Sequence, residues 1–109
     1  MNLQIDIQEQ NNADVVYLTG EVDVYTSAKL KESLAPLTEK GQNTLIVDLS
    51  QVSYIDSTGL GIFIGALKSV DKAGGTLKIS GVNDRVKRLF EITGLNEVID
   101  IDASQREEA

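Results

Sequence analysis

Residues 45–72, LIVDLSQVSYIDSTGLGIFIGALKSVDK, decide how the rest of the chain is read. The run opens with Leu45-Ile46-Val47-Asp48-Leu49, nearly continuous in apolar residues, as expected of a central strand covered on both faces. Asp56, Ser57 and Thr58 follow, three N-cap residue types in a row. A long helix is predicted from about Ser57 to Lys72. Lys68 and Lys72 suit its negative C-terminal end, and Gly74-Gly75 stops it.

On the N-terminal side, Leu3, Ile5 and Ile7 alternate with Gln4, Asp6 and Gln8, the period of a half-buried strand. Asn11-Asn12 reads as a turn and Val15-Val16-Tyr17-Leu18 as a second strand ending at Gly20, so the chain opens with a hairpin. Thr26 or Ser27 then caps a helix with Leu30, Leu34 and Leu37 as its core stripe. Pro36 kinks that helix or ends its regular part, and Gly41 closes it. On the C-terminal side, Thr76 to Ile79 is another alternating strand. Asn83-Asp84 caps a third helix with Val86, Leu89, Phe90 and Ile92 facing inward, and Gly94 ends it. Val98 to Ile101 suits a last strand or a helix start equally well. Ser104 to Ala109 is polar and expected to fray. A hairpin followed by strand–helix alternation implies an α/β fold, a mixed sheet with helices packed against it.

Composition narrows the chemistry. A chain of 109 residues suits one domain. No apolar run approaches the roughly 18 residues of a membrane span. The start, Met1-Asn2-Leu3-Gln4-Ile5-Asp6, lacks the basic and apolar regions of a signal peptide, which makes a cytoplasmic address the expectation. With 17 acidic and 10 basic residues, the net charge of -7 opposes binding to nucleic acid. Cysteine and histidine are both absent. Zinc sites rely on those ligands, and a serine nucleophile usually relies on histidine as its base. The expectation is therefore a protein with no metal, no cofactor and no catalytic residues.

Two features of the second helix break local rules. Gly59, Gly61 and Gly65 fall within two turns, and each interior glycine costs about 1 kcal/mol relative to alanine. Gly61 and Gly65 share a face, which suits close packing of helix on sheet. Gly59 and Gly61 lie about 200° apart around the axis, so one surface cannot explain both, and at least one leaves backbone open to a partner. The helix is also apolar almost all round at its start, with Leu60, Ile62, Phe63, Ile64, Ala66, Leu67 and Val70. Such a helix is either deeply buried or carries an exposed binding patch. A phosphate on Ser57 would sit at the positive end of this helix and leave the fold standing. It would add about -1.5 to -2 charge beside Asp56, on a surface that a partner must approach.

Gly20-Glu21-Val22-Asp23-Val24-Tyr25, Val47-Asp48-Leu49-Ser50, Tyr54-Ile55-Asp56-Ser57-Thr58-Gly59-Leu60-Gly61, Val86-Lys87-Arg88-Leu89-Phe90 and Thr93-Gly94-Leu95 together resemble the anti-sigma-factor antagonists of the STAS-domain family. The resemblance runs from about Leu3 to Ile101 and is nearest to the general-stress members. It implies a partner switch, or anti-anti-sigma factor. The unphosphorylated antagonist binds an anti-sigma factor that is also a serine kinase and so frees the sigma factor. Phosphorylation on Ser57 ends that binding, and a PP2C-type phosphatase resets it. By motif position, Asp23, Asp56, Ser57, Thr58, Gly59, Leu60, Gly61 and Leu89 belong to the partner surface. A turn or cap acid is the bland alternative for Asp23, and core packing that for Leu89. Thr58 is a second possible acceptor hydroxyl, where some relatives have serine. Asp48 reads as a structural acid.

Other classes fit less well. A receiver domain wants clustered acids after its first strand to hold magnesium, and here Asn11-Asn12 follow it. Gly59, Gly61 and Gly65 miss the dinucleotide spacing G-x-G-x-x-G by one residue. A STAS scaffold or interaction module of a stress-sensing complex, with no sigma-factor partner, stays open on these grounds.

Overall fold

The computed structural model describes residues 2–10 and 12–102. β1 (Leu3–Gln10) and β2 (Ala13–Val22) form the expected antiparallel hairpin, with Gln10 opposite Ala13. The connection is two residues long, and Asn12 takes a φ of 59°. Asparagine is among the few residues other than glycine that enter this region readily. Next come α1 (Ser27–Thr38), β3 (Thr44–Ile55), α2 (Ser57–Lys72), β4 (Thr76–Ser80), α3 (Asp84–Thr93), a 3-10 turn (Leu95–Glu97) and β5 (Asp100–Asp102). The last apolar segment is thus a strand, reached through the 3-10 turn, with Ile99 buried. The tail expected to fray, Ser104–Ala109, lies outside the described residues.

The strand order is β1-β2-β3-β4-β5, and β2 to β5 run parallel. Each crossover advances one strand in the same direction, so right-handed connections put every helix on one face of the sheet. Burial along the strands agrees. Leu45, Val47 and Leu49 of β3 are buried, while Ile46, Asp48 and Ser50 between them are only half-buried. The expectation that this strand is covered on both faces is therefore corrected. Its apolar run hides an alternation in which Ile46 faces the uncovered side.

β3 keeps its inner row through two bulges. Its register with β2 slips between Tyr17 and Thr19 and again between Gly20 and Glu21, with one extra β3 residue each time. The buried positions accordingly step from Leu49 to Val52 and then to Ile55. Such an insertion bends the strand and re-aims the residues beyond it. Asp48 accepts the Ser50 amide at 2.8 Å beside the first bulge, the structural role expected of it.

Leu30, Leu34 and Leu37 of α1 and Leu60, Phe63, Ala66 and Val70 of α2 fill the core. Phe63 meets Phe90 of α3 edge to face, with ring centroids 6.3 Å apart, which fixes α3 on α2. Val86 and Phe90 are the buried residues of α3. Leu89 is half-buried and packs against the core as expected, whereas Ile92 is 73% exposed, against the expectation that it faces inward. At 100° per residue Ile92 lies well off the Val86–Phe90 line. Among the described residues, no helix is long and apolar enough to cross a membrane.

Candidate functional site

The parallel strands deliver the N-termini of the helices to one end of the sheet, and Asp56 is the knot there. Its backbone N–H donates to the Val22 carbonyl at 3.1 Å, continuing the β2–β3 ladder one residue beyond the strand. One carboxylate oxygen accepts the Gly59 amide at 2.9 Å and so caps α2. The other accepts the Val24 amide at 3.2 Å. One side chain therefore ties the loop after β2 to the start of α2. It positions its neighbours on both sides.

Asp23 sits in that loop and is only 6% exposed. Its Oδ1 accepts the Tyr25 amide at 2.9 Å and the Thr26 amide at 3.1 Å. Thr26 Oγ1 accepts the Asp23 amide at 3.0 Å and donates to the Glu21 carbonyl at 2.9 Å. Asp23 is thus a buried turn acid in the free chain, the alternative that its sequence position had left open. Thr26 stands at the N-cap of α1 but makes no side-chain cap bond there, because its hydroxyl serves the turn. The residues between these anchors were missed from sequence. Val24 is 59% and Tyr25 80% exposed. Two adjacent large apolar residues flanked by polar turn formers were the available signal.

The three glycines separate. A Cβ on Gly59 would lie 2.6 Å from Val22 Cγ1 and 2.8 Å from the Val22 carbonyl oxygen. Gly59 is therefore the packing glycine, letting the first turn of α2 approach β2. Leu60 is buried in the core at 7% exposure. Gly61 and Gly65 are exposed, and a Cβ added to either would find no atom within 4 Å. Close packing, one of the alternatives open for Gly65, finds no neighbour there. Both glycines line a groove of about 330 Å³ between α1 and α2, with Leu34, Ala35, Ile62 and Ala66. Leu89 borders a separate hollow on α3 with Arg85, Arg88 and Ile92.

Ser57 and Thr58 are exposed in the first turn of α2. Their backbone amides belong to the set a helix leaves without intrahelical acceptors, and the helix dipole is positive there. Asp23 and Asp56 are satisfied by backbone amides and the Thr26 hydroxyl, and both ion pairs among the described residues involve Lys40 at the far end of the sheet. An anion on Ser57 would find local helical donors but, among the described residues, no lysine or arginine salt-bridged into the site. Among the described residues no group of three or more acids is placed to hold a metal ion.

Comparison with known proteins agrees with this geometry. The STAS domain model matches residues 4–108. The anti-sigma-B factor antagonist of Bacillus subtilis is 48% identical over 103 residues, covering 94% of each chain. Two solved structures share the fold. One is an anti-sigma factor antagonist from Mycobacterium paratuberculosis, with a TM-score of 0.77 at 22% identity, covering 93% of this chain and 86% of that one. The other is the Bacillus cell fate determinant SpoIIAA in its phosphorylated form, with a TM-score of 0.71 at 20% identity and 96% of both chains covered. The chain belongs to the STAS domain family and is similar over nearly its whole length to the anti-sigma-B factor antagonists.

Proposed function

We propose that this chain is an anti-anti-sigma factor, a positive regulator of stress-response transcription that works by partner switching in the cytoplasm. Unphosphorylated, it binds an anti-sigma factor with serine kinase activity and releases the sigma factor. The kinase transfers the γ-phosphoryl group of ATP to Ser57, the complex separates, and a PP2C-type phosphatase restores the free hydroxyl. On this reading the chain is substrate and ligand rather than enzyme.

The observation that carries this reading is the exposed Ser57 hydroxyl at the first turn of α2, beside carboxylates that no cation among the described residues neutralises. Ser57, Thr58 and the bare backbone at Gly61 form the face a partner meets, with Leu89 flanking it. Asp23, Asp56, Gly59 and Leu60 hold that face in place from below. Two negative charges added at Ser57 would oppose a partner that accommodates the neutral surface.

The test is to incubate the chain with the Bacillus subtilis anti-sigma-B factor and ATP and to map phosphate by fragment-ion mass spectrometry. One phosphate on Ser57 is expected. Phosphate on Thr58 would move the switch by one residue, and no phosphate with no complex would overturn the reading.

A further inference from the structure

We propose that Val24 and Tyr25 are the anchor of the partner interface, a rigid apolar knob that inserts into an apolar pocket on the anti-sigma factor. This inference rests on the partner-switching reading and names where its binding energy is concentrated.

Two large apolar side chains in sequence stand in solvent, at 59% and 80% exposure, at the end of the sheet that carries Ser57. The chain holds only five aromatic residues of the Phe and Tyr types, and both phenylalanines are buried in the core. Leaving Tyr25 in water gains the fold nothing. Scattered exposed apolar residues are ordinary on any protein. What distinguishes this pair is its support. The Val24 amide is held by Asp56, the Tyr25 amide by Asp23, and Thr26 locks the turn from beneath with hydrogen bonds to Asp23 and Glu21. Both anchoring groups that are buried, Asp23 and Thr26, are 6% exposed. A mobile loop would not need two carboxylates to fix it.

Preorganisation of this kind lowers the ordering cost of binding. Tyrosine is enriched among interface hot spots because it brings large contact area with few torsions to freeze. The knob also shares Asp56 with the phosphorylatable turn, since one carboxylate bonds both Val24 and Gly59. A partner seated on Tyr25 is therefore brought against Ser57, which explains how one phosphate could disturb an apolar contact. The partner pocket should be apolar, with a polar acceptor at its rim for the phenol, as buried tyrosines generally find one.

The experiment measures binding to the Bacillus subtilis anti-sigma-B factor by calorimetry without nucleotide hydrolysis, together with thermal unfolding of each variant. Tyr25→Ala should weaken binding about 30-fold or more, the threshold of a hot spot. Tyr25→Phe should stay within about threefold if the ring carries the contact. Ile92→Ser removes an equally exposed apolar residue from α3 and should leave affinity unchanged. Melting temperatures should match the parent throughout, because Tyr25 and Ile92 contribute little to the core. If the parent binds and Tyr25→Ala binds within threefold, the knob is overturned and the switch survives. A parent that binds neither this factor nor that of its own cell overturns the switch itself.

Discussion

Two ends of the same sheet each hold buried or half-buried acid, and they treat it differently. At the N-terminal end of the parallel strands, Asp14 is only 1% exposed and meets Lys40 Nζ at 2.9 Å and Asn43 Nδ2 at 2.9 Å. Its charge is closed off by a cation. At the other end, Asp23 and Asp56 receive backbone amides and a hydroxyl, with no lysine or arginine among the described residues paired to them. Amides satisfy hydrogen bonding without cancelling the net charge. The first end shows what this chain does when an acid only has to be structural. The second places two acids without a cationic partner near Ser57, where the proposed phosphate would add to them.

Ser57→Asp probes the contrast with the largest effect. Anti-sigma factor affinity should fall by roughly several hundredfold, since a like-charge or desolvated contact costs several kcal/mol. The melting temperature should stay within a few degrees, because a carboxylate suits the first turn of a helix. A variant that loses both binding and fold would show that Ser57 is a structural position like Asp14.

The glycines sharpen the same contrast within one helix. Gly61→Arg should remain folded and bind tens of times more weakly, since the long side chain fills the face left bare. Gly59→Ala should instead lose about 1–3 kcal/mol of stability, as a Cβ there collides with Val22. Denaturant titration of both variants beside a binding curve for Gly61→Arg checks the pair. A destabilised Gly61→Arg would return that glycine to a packing role.

The smallest effect lies at the closed end. Asp14 and, secondarily, Glu9 hold the Lys40 ammonium above its ordinary pKa of 10.5, chiefly through the hydrogen bond to Asp14. A raised folded-state pKa contributes stability that is fully present below the unfolded value and is lost as pH rises through the folded one. Lys40→Met should therefore melt below the parent at neutral pH, and the gap should narrow as pH climbs past about 10.5. Partner affinity should not change. A loss of affinity here would break the division of the molecule into a structural end and a signalling end.

The pattern of residues made most of the frame legible. The Asp56 and Asn83 caps, the α2 limits and the stop at Gly94 were all readable, because capping chemistry is local and the apolar spacing is regular. What escaped depended on distant neighbours. Gly59 and Gly61 look alike in sequence, and only the approach of Val22 tells them apart. Leu60 sits among polar residues and glycines yet turns into the core, while Ile92 in an apolar row turns out of it. Asp23 reads as a surface acid until the Thr26 hydroxyl is seen beneath it. The one-sided cover of β3 was hidden because Ile46 is apolar on the open face, as it need not be. Val24 and Tyr25 drew no notice for the opposite reason, since an apolar pair in a short loop ordinarily points inward.

The central claim is that charge acquired at Ser57, and nothing else about that residue, dissolves the complex. The decisive measurement is release of the anti-sigma factor on adding ATP, for the parent and for Ser57→Ala, read out by size-exclusion chromatography. Removing the hydroxyl forfeits at most a neutral hydrogen bond of about 1 kcal/mol, so both proteins should form the complex. ATP should separate the parent complex and leave the Ser57→Ala complex intact. Equal release of both complexes by ATP would contradict the account, and so would a folded Ser57→Ala protein that never binds.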